Sequence, residues 1–381
     1  MQRLFCLLIC VHLCASAATL YSSEPPAFRT DDSPDEKLPW FQLVEGAFPP
    51  EGSAHYFSGE LIGVDHLERS FVLRVDRTDR QNRSHFDLPM EATLLPYGSV
   101  FYHGAPAALR DIPIGTHLHG WFYLKAPDDD SKPLAIFHNR LSYEIDFRRC
   151  FRLEDDFSFY ARQSQLWHID NVDFEEQELT LALQHDGKAV GEPQTFDLQT
   201  STRVWQERGF AGQQVLSKGQ LVLFNLTWAT LYGPGRLTDL WIDDESRQAA
   251  TAHQLEKHRI HVRQRGLPGW IDAVDNEKRI VTITFFGGID PRLFDDLVKG
   301  QSAGIAVSKE TLMTYDPVND RKSGPILEVN RVPTQPGSSG VQIQVQPSLL
   351  LEGYRPKRIV RVYAPGWPVI ALPREEQFFG R

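Results

Sequence analysis

One pattern recurs three times along this chain, and the recurrence limits the fold more than any bulk property does. "LIGVDHLERSFVLRVD" runs from Leu61 to Asp76, "HIDNVDFEEQELTLAL" from His168 to Leu183 and "WIDAVDNEKRIVTITF" from Trp270 to Phe285. Aligned on Asp65, Asp173 and Asp275, each copy has a Val just before the Asp and an aliphatic residue four positions before it (Leu61, Ile169, Ile271). Apolar residues follow at six, eight and ten positions after it. Such alternation puts one face of a strand against a core. The polar stretch after the Asp reads as a hairpin turn whose carboxylate accepts backbone N–H groups, so its recurrence needs no catalytic role. The copies are about one hundred residues apart. That is too long for a solenoid unit of about 20–50 residues.

The likeness extends past the hairpin. Phe86-Asp87-Leu88 and Phe196-Asp197-Leu198 predict a third strand in the first two copies. A Leu-to-Gly turn then launches another strand in "LRDIPIGTHLHGWFY", "LSKGQLVLFNL" and "LVKGQSAGIAV". Closing strands are expected from Leu134 and from Gly235. The third copy departs: "IDPRLFDDLVKG" predicts a short helix with Asp290 as N-cap and Pro291 at the first position. A tail, "VQIQVQPSLLLEGYRPKRIVRVY", adds two strand-like runs. Phe147–Gln163 and the stretch from Ser246 read as helices between the copies.

Several short antiparallel strands per copy are expected to close into a barrel, because closure removes exposed edges. The expected fold class is mainly β: three tandem small antiparallel OB-like barrels with short intervening helices. The boundaries read as a signal peptide at 1–17, a flexible linker at 18–55, and repeats at 56–147, 148–245 and 246–381, the last with a C-terminal extension. Trp40-Phe41 is expected to dock on the first barrel. "GELIGVDHLERSFVLRVD" with "LRDIPIGTHLHG" resembles the OB-like barrel repeats of uncharacterised exported bacterial proteins, and "GYRPKRIVRVYAPGWP" resembles exported proteins of planctomycete-type bacteria. The resemblance covers most of residues 58–368, rests on turns and strands, and brings no catalytic residue.

"MQRLFCLLICVHLCASA" has a cationic start at Arg3, an apolar run to Cys14 and a small-residue site at Ala15-Ser16-Ala17. That order predicts export with cleavage after Ala17, and the run is too short to span a bilayer. Cys6, Cys10 and Cys14 would leave with it, so Cys150 would stand alone, without an intrachain disulfide. The net charge of −10 argues against nucleic acid as a partner, since phosphate neutralisation needs clustered Lys and Arg.

Chemistry is sparse. His117 and His119 alternate on a strand and share a face, a geometry open to a metal, with His103 or His85 as a possible third ligand. No His-Glu-x-x-His helix or Cys pair supports them. Cys150 sits among Arg148, Arg149 and Arg152, which could activate a thiol; the plainer reading is a small buried hydrophobe. Ser338-Ser339 lacks the Gly-x-Ser-x-Gly elbow of a hydrolase. Asp128-Asp129-Asp130 and Asp243-Asp244-Glu245 follow no EF-hand spacing and read as solvated turns. Trp121, Trp205, Trp228 and Trp241 fall on or beside predicted strands, as core or as a stacking surface. The expected function is an exported, non-catalytic binding or scaffold protein with a protein or polysaccharide partner and no cofactor. The alternatives are a metal-dependent enzyme centred on His117 and His119, or an oligosaccharide or oligonucleotide binder.

Overall fold

The computed structural model describes residues 27–32, 35–76, 89–130, 147–227, 235–316, 318, 321–368 and 370–377. Three closed barrels follow one another along the chain. The first is built from β1 (His55–Asp65), β2 (Ser70–Val75), β3 (Pro89–Tyr102), the short β4 (Ala105–Ala107), β5 (His117–Leu124) and β6 (Phe147–Asp155). Its ring is β1-β2-β3-β6-β5, with β4 hairpinned onto β3 and β3 parallel to β6. Helix α1 (Asp156–Arg162) leads on without a gap.

The second barrel holds β7 (Gln165–Asp173), β8 (Glu178–His185), β9 (Lys188–Ala189), β10 (Gln194–Asp197), β11 (Arg203–Gln206), β12 (Gly209–Ala211), β13 (Leu221–Thr227) and β14 (Arg236–Trp241). Its ring, β7-β8-β10-β14-β13, repeats the first one strand for strand, including the parallel contact of the third and fifth strands. Helix α2 (Asp244–Arg265) follows, roughly 33 Å long at 1.5 Å per residue.

The third barrel has β15 (Leu267–Asp275), β16 (Ile280–Phe286), β17 (Ser302–Val307), β18 (Lys322–Arg331), β19 (Ser338–Val345) and β20 (Ile359–Tyr363), closed as β15-β16-β19-β18-β17-β20. Each barrel encloses its own core, seeded by the aligned residues: Leu61, Phe71 and Leu73 in the first, Ile169, Leu179 and Leu181 in the second, Ile271, Val281 and Ile283 in the third.

The recurring hairpin is the same object each time. Asp65 Oδ1 accepts from the N–H groups of Leu67 and Glu68, at 3.0 and 3.1 Å. Asp173 does so from Glu175 and Glu176, and Asp275 from Glu277 and Lys278. Four residues after each Asp the backbone turns left-handed, at Arg69 (φ 53°), Gln177 (56°) and Arg279 (55°). Each first strand also carries a bulge three residues before its Asp. The Leu-to-Gly turns end at Gly115, Gly219 and Gly300, all at φ between 84° and 99°, where a Cβ would be strained.

Here the third copy parts company. Gly115 and Gly219 donate to the carbonyls of Leu61 and Ile169, next to their own first strands. In the third barrel Lys357 makes that bond to Ile271, because β20 lies between β17 and β15. The two strand-like runs of the expected C-terminal tail are therefore both ring strands, β19 and β20. The predicted short helix is present as a 3-10 turn over Pro291–Asp296, capped by Asp290.

Three expectations are corrected. Phe147–Gln163 is mostly strand: Phe147, Cys150 and Leu153 face the first core, and only Asp156–Arg162 is helical. The first barrel thus runs on to Asp155, past the boundary expected at residue 147. In the stretch expected as a flexible linker up to residue 55, the aromatic side chains Phe28, Trp40, Phe41 and Phe48 are packed against other rings. Trp40 lies edge-on to Phe147 at 5.4 Å, and Phe48 sits 4.2 Å from Trp270 of the third barrel. Asp244 and Glu245 are solvent-exposed as expected, but the segment is the start of α2 rather than a turn, with Asp243 accepting from Ser246 N at 2.7 Å. The signal segment, Phe86-Asp87-Leu88, the strand expected from Leu134, His85 and Trp228 lie outside the described residues.

Candidate functional site

β5 and β6 are antiparallel neighbours; β6 ends in Glu154 and Asp155, and Asp156 opens α1, none of the three more than 1% exposed. They sit where the first barrel meets the second. His117 and His119 point from β5 toward Asp156. Asp156 Oδ1 accepts from His117 Nδ1 at 2.8 Å and from His119 Nε2 at 3.0 Å, while its Oδ2 accepts from Leu226 N of β13 at 2.9 Å. The three side chains offer ligand atoms within 4.8 Å of one another, so the expected pair does gain a third partner. That partner is Asp156. His103 falls outside the group, stacked on Tyr102 at 3.8 Å and held neutral by burial, which pushes its pKa down to about 3.

The protons in the cluster can be placed. His117 Nε2 meets Asp76 Oδ2 at 2.7 Å, and Ser58 Oγ donates to the same oxygen at 2.6 Å. Burial alone would lower the His117 pKa, but carboxylates on both ring nitrogens outweigh it and raise it well above its usual value. His117 is therefore an imidazolium, donating from both nitrogens. His119 is the opposite case: burial dominates and holds it neutral. Its Nε2–H goes to Asp156, and its Nδ1 accepts from Tyr56 O–H at 2.7 Å. Burial pushes that phenol up to about 12, so it stays a donor. Burial opposes ionisation of Asp156, yet the two imidazoles outweigh it and hold the carboxyl well below its usual range. Phe159 of α1 stacks on His119 at 3.7 Å and 7°.

The flanking acids are spent in the same way. Asp155 caps α1 through Ser158 N, accepts His103 N from the first barrel and takes Asn225 Nδ2 from the second at 2.8 Å; burial raises its pKa to about 6. Glu154 is gripped by Arg152 and, through both oxygens, by Arg162. Each of the four imidazole nitrogens of the pair thus has a hydrogen-bond partner.

The other candidates resolve simply. Cys150 is wholly buried, burial raises its pKa well above the usual value, and its thiol donates to the Arg152 carbonyl. Ser339 Oγ donates to the Phe285 carbonyl, and Ser338 Oγ accepts from Gly340 N. Trp241 is core at the second barrel's edge, Trp205 donates to Asp239 at 2.7 Å, and Trp121 lies under Arg152 and Arg162. What the residue patterns did not single out is Asp156. The signal available was an acid triplet directly after an apolar alternation, in "FRRCFRLEDD". Compared with protein-family models, curated proteins and solved structures, the chain matches none of them.

Proposed function

We infer that the chain is an exported, non-catalytic binding or scaffold protein whose three barrels are fixed in place, with a protein or polysaccharide as its partner. The observation that carries this reading is the state of the His117–His119–Asp156 cluster. A catalytic or metal-binding group needs a free lone pair or a movable proton at a reachable atom. Here all four imidazole nitrogens are hydrogen-bonded, the three residues are 5%, 5% and 1% exposed, and one bond, Leu226 N to Asp156 Oδ2, reaches the second barrel. A buried polar network that is fully satisfied specifies geometry. Export rests on the residue order of the first seventeen positions. Among the described residues no helix is long and apolar enough to cross a membrane.

The metal-enzyme alternative makes a distinct demand, so elemental analysis separates the two. Protein purified without chelator and then titrated with zinc is expected to hold less than stoichiometric metal and to show no saturable heat. One equivalent of zinc, lost in His117→Ala, overturns the scaffold reading.

A further inference from the structure

The first and third barrels do not meet flush. Between them and α2 lies a cavity of about 160 Å³. That is room for several waters, and so for a small polyatomic anion. Its charged lining is Arg69 from the first hairpin, Arg110, Arg265 from the end of α2, and Arg361 from β20, against one carboxylate, Glu376. Glu376 is committed to Arg265, at 2.6 Å from its Nε, and stands 3.9 Å from Arg110.

Arg69 and Arg361 are held by carbonyls alone. Arg69 Nη2 donates to Leu95 and Gly98, at 3.1 and 3.2 Å. Arg361 donates to Leu312 and Gly266, at 2.8 and 3.0 Å. Neither forms an ion pair with a carboxylate among the described residues. Their charges repel: burial first, then Arg361, bring Arg69 down to about 9, and burial likewise brings Arg361 down to about 10. His258 and His261 stand on the same wall, and Arg110 donates to His261 Nδ1. The Oγ1 of Thr311, also on the lining, is buried and has no hydrogen-bond partner. Guanidiniums enclosed without counter-charge are costly, and forked N–H groups fit the oxygens of phosphate or sulfate.

The geometry points to a binding site for a tetrahedral oxyanion, phosphate or sulfate, at the junction of the first barrel, α2 and the third barrel. It is held by Arg69, Arg361 and Arg110 with Thr311 as a neutral donor. The site stands independently of the scaffold reading, since a scaffold or an enzyme could carry it. It is also local, so it does not conflict with the chain's overall charge of −10.

The test is calorimetric titration of the full chain with inorganic phosphate, inorganic sulfate and glucose 6-phosphate, with sodium chloride at matched ionic strength as reference. Melting temperature is followed in parallel. The expected result is saturable one-site binding of phosphate or sulfate, with a melting temperature that rises and levels off. Arg361→Gln should weaken it about tenfold or more, the loss of one charge-assisted contact. Arg110→Gln, at a side chain already 35% exposed, keeps the test alive if Arg361→Gln does not fold. Binding of the ester as well shows that the mouth admits a larger ligand; binding of free anion alone shows that it does not. No saturable heat, a response equal to chloride, or unchanged affinity in both variants overturns the site.

Discussion

The two joints of this molecule both enclose charged side chains and have opposite character. Between the first and second barrels, two imidazoles meet the carboxylates of Asp76 and Asp156, and Asn225 and Leu226 of the second barrel donate across the boundary to Asp155 and Asp156. Between the first and third barrels, aromatic packing closes one side around Phe48, Tyr97, Trp270 and Phe286, and on the other side four arginines face a cavity with one carboxylate, Glu376, among them. There the backbones also come close: a Cβ on Gly288 would meet the Ser99 Cβ at 2.3 Å. The difference teaches that buried charge is not by itself a sign of a site. What matters is whether it is balanced. The balanced joint holds two barrels in register; the unbalanced one has capacity left over for a ligand.

The largest effect that separates them is expected at Asp156. Asp156→Ala leaves an imidazolium and Leu226 N without their acceptor, and breaking such a buried pair costs about 3–5 kcal/mol. Urea unfolding of the variant measures it, and a loss below about 1 kcal/mol would show that the cluster does not hold the joint. Phe48→Ala attacks the other joint. Phe48 is only half-buried, so the loss should be about 1–3 kcal/mol, below that of a fully enclosed Phe. Proteolysis near Trp270 should speed up while the first two barrels stay protected. Equal exposure of all three barrels would mean that the strap does not act locally.

Stability against pH should also divide the joints. His117 has a raised folded pKa, so its contribution is complete below about 6.5 and is lost as pH rises through the folded value. His258, lowered to about 4 by burial, and His261, also lowered, act in the opposite sense at the cavity. Their unfolded forms take up protons first, so stability falls as pH drops below about 6.5, by at most about 1.4 kcal/mol per pH unit for each. His119 adds to that acid loss. Denaturant midpoints across pH 4 to 9 check the signs: His258→Gln should flatten the acid limb, and His117→Gln should flatten the alkaline one. The reverse pairing would invalidate the proton assignment. The smallest effect is expected at the hairpins, where Asp65→Ala, Asp173→Ala and Asp275→Ala should each cost about 1 kcal/mol, with near-equal losses across the copies.

Much of the fold was legible because the repeat is written in local terms. A turn Asp, a Gly at positive φ and an apolar residue at every second position each act on their own near neighbours in sequence, and all three barrels reproduce them. Phe147–Gln163 misled because "FRRCFRLEDDFSFYARQ" spreads its apolar residues at intervals of both three and two; only the barrel's need for a fifth strand decides between helix and strand. The entry of β20 into the third ring was hidden for a similar reason, since a strand's neighbour is set across the whole domain. At the candidate site, the His117–His119 pair was visible on one strand face. Asp156 and Asp76 were not, being separated in sequence and joined only by barrel closure. Arg69 and Arg361 sit far apart in the chain, and nothing local marks them as facing one cavity.

The most direct test of the central claim is the protonation of the two histidines, read from imidazole nitrogen-15 chemical shifts at pH 7.5 on the full chain, before and after one equivalent of zinc. The balanced joint predicts two protonated nitrogens on His117, and on His119 a protonated Nε2 with an unprotonated, hydrogen-bonded Nδ1, all unchanged by zinc. A neutral His117 with an unprotonated nitrogen, or shifts at both residues that follow added zinc, would contradict it and make the cluster a metal site.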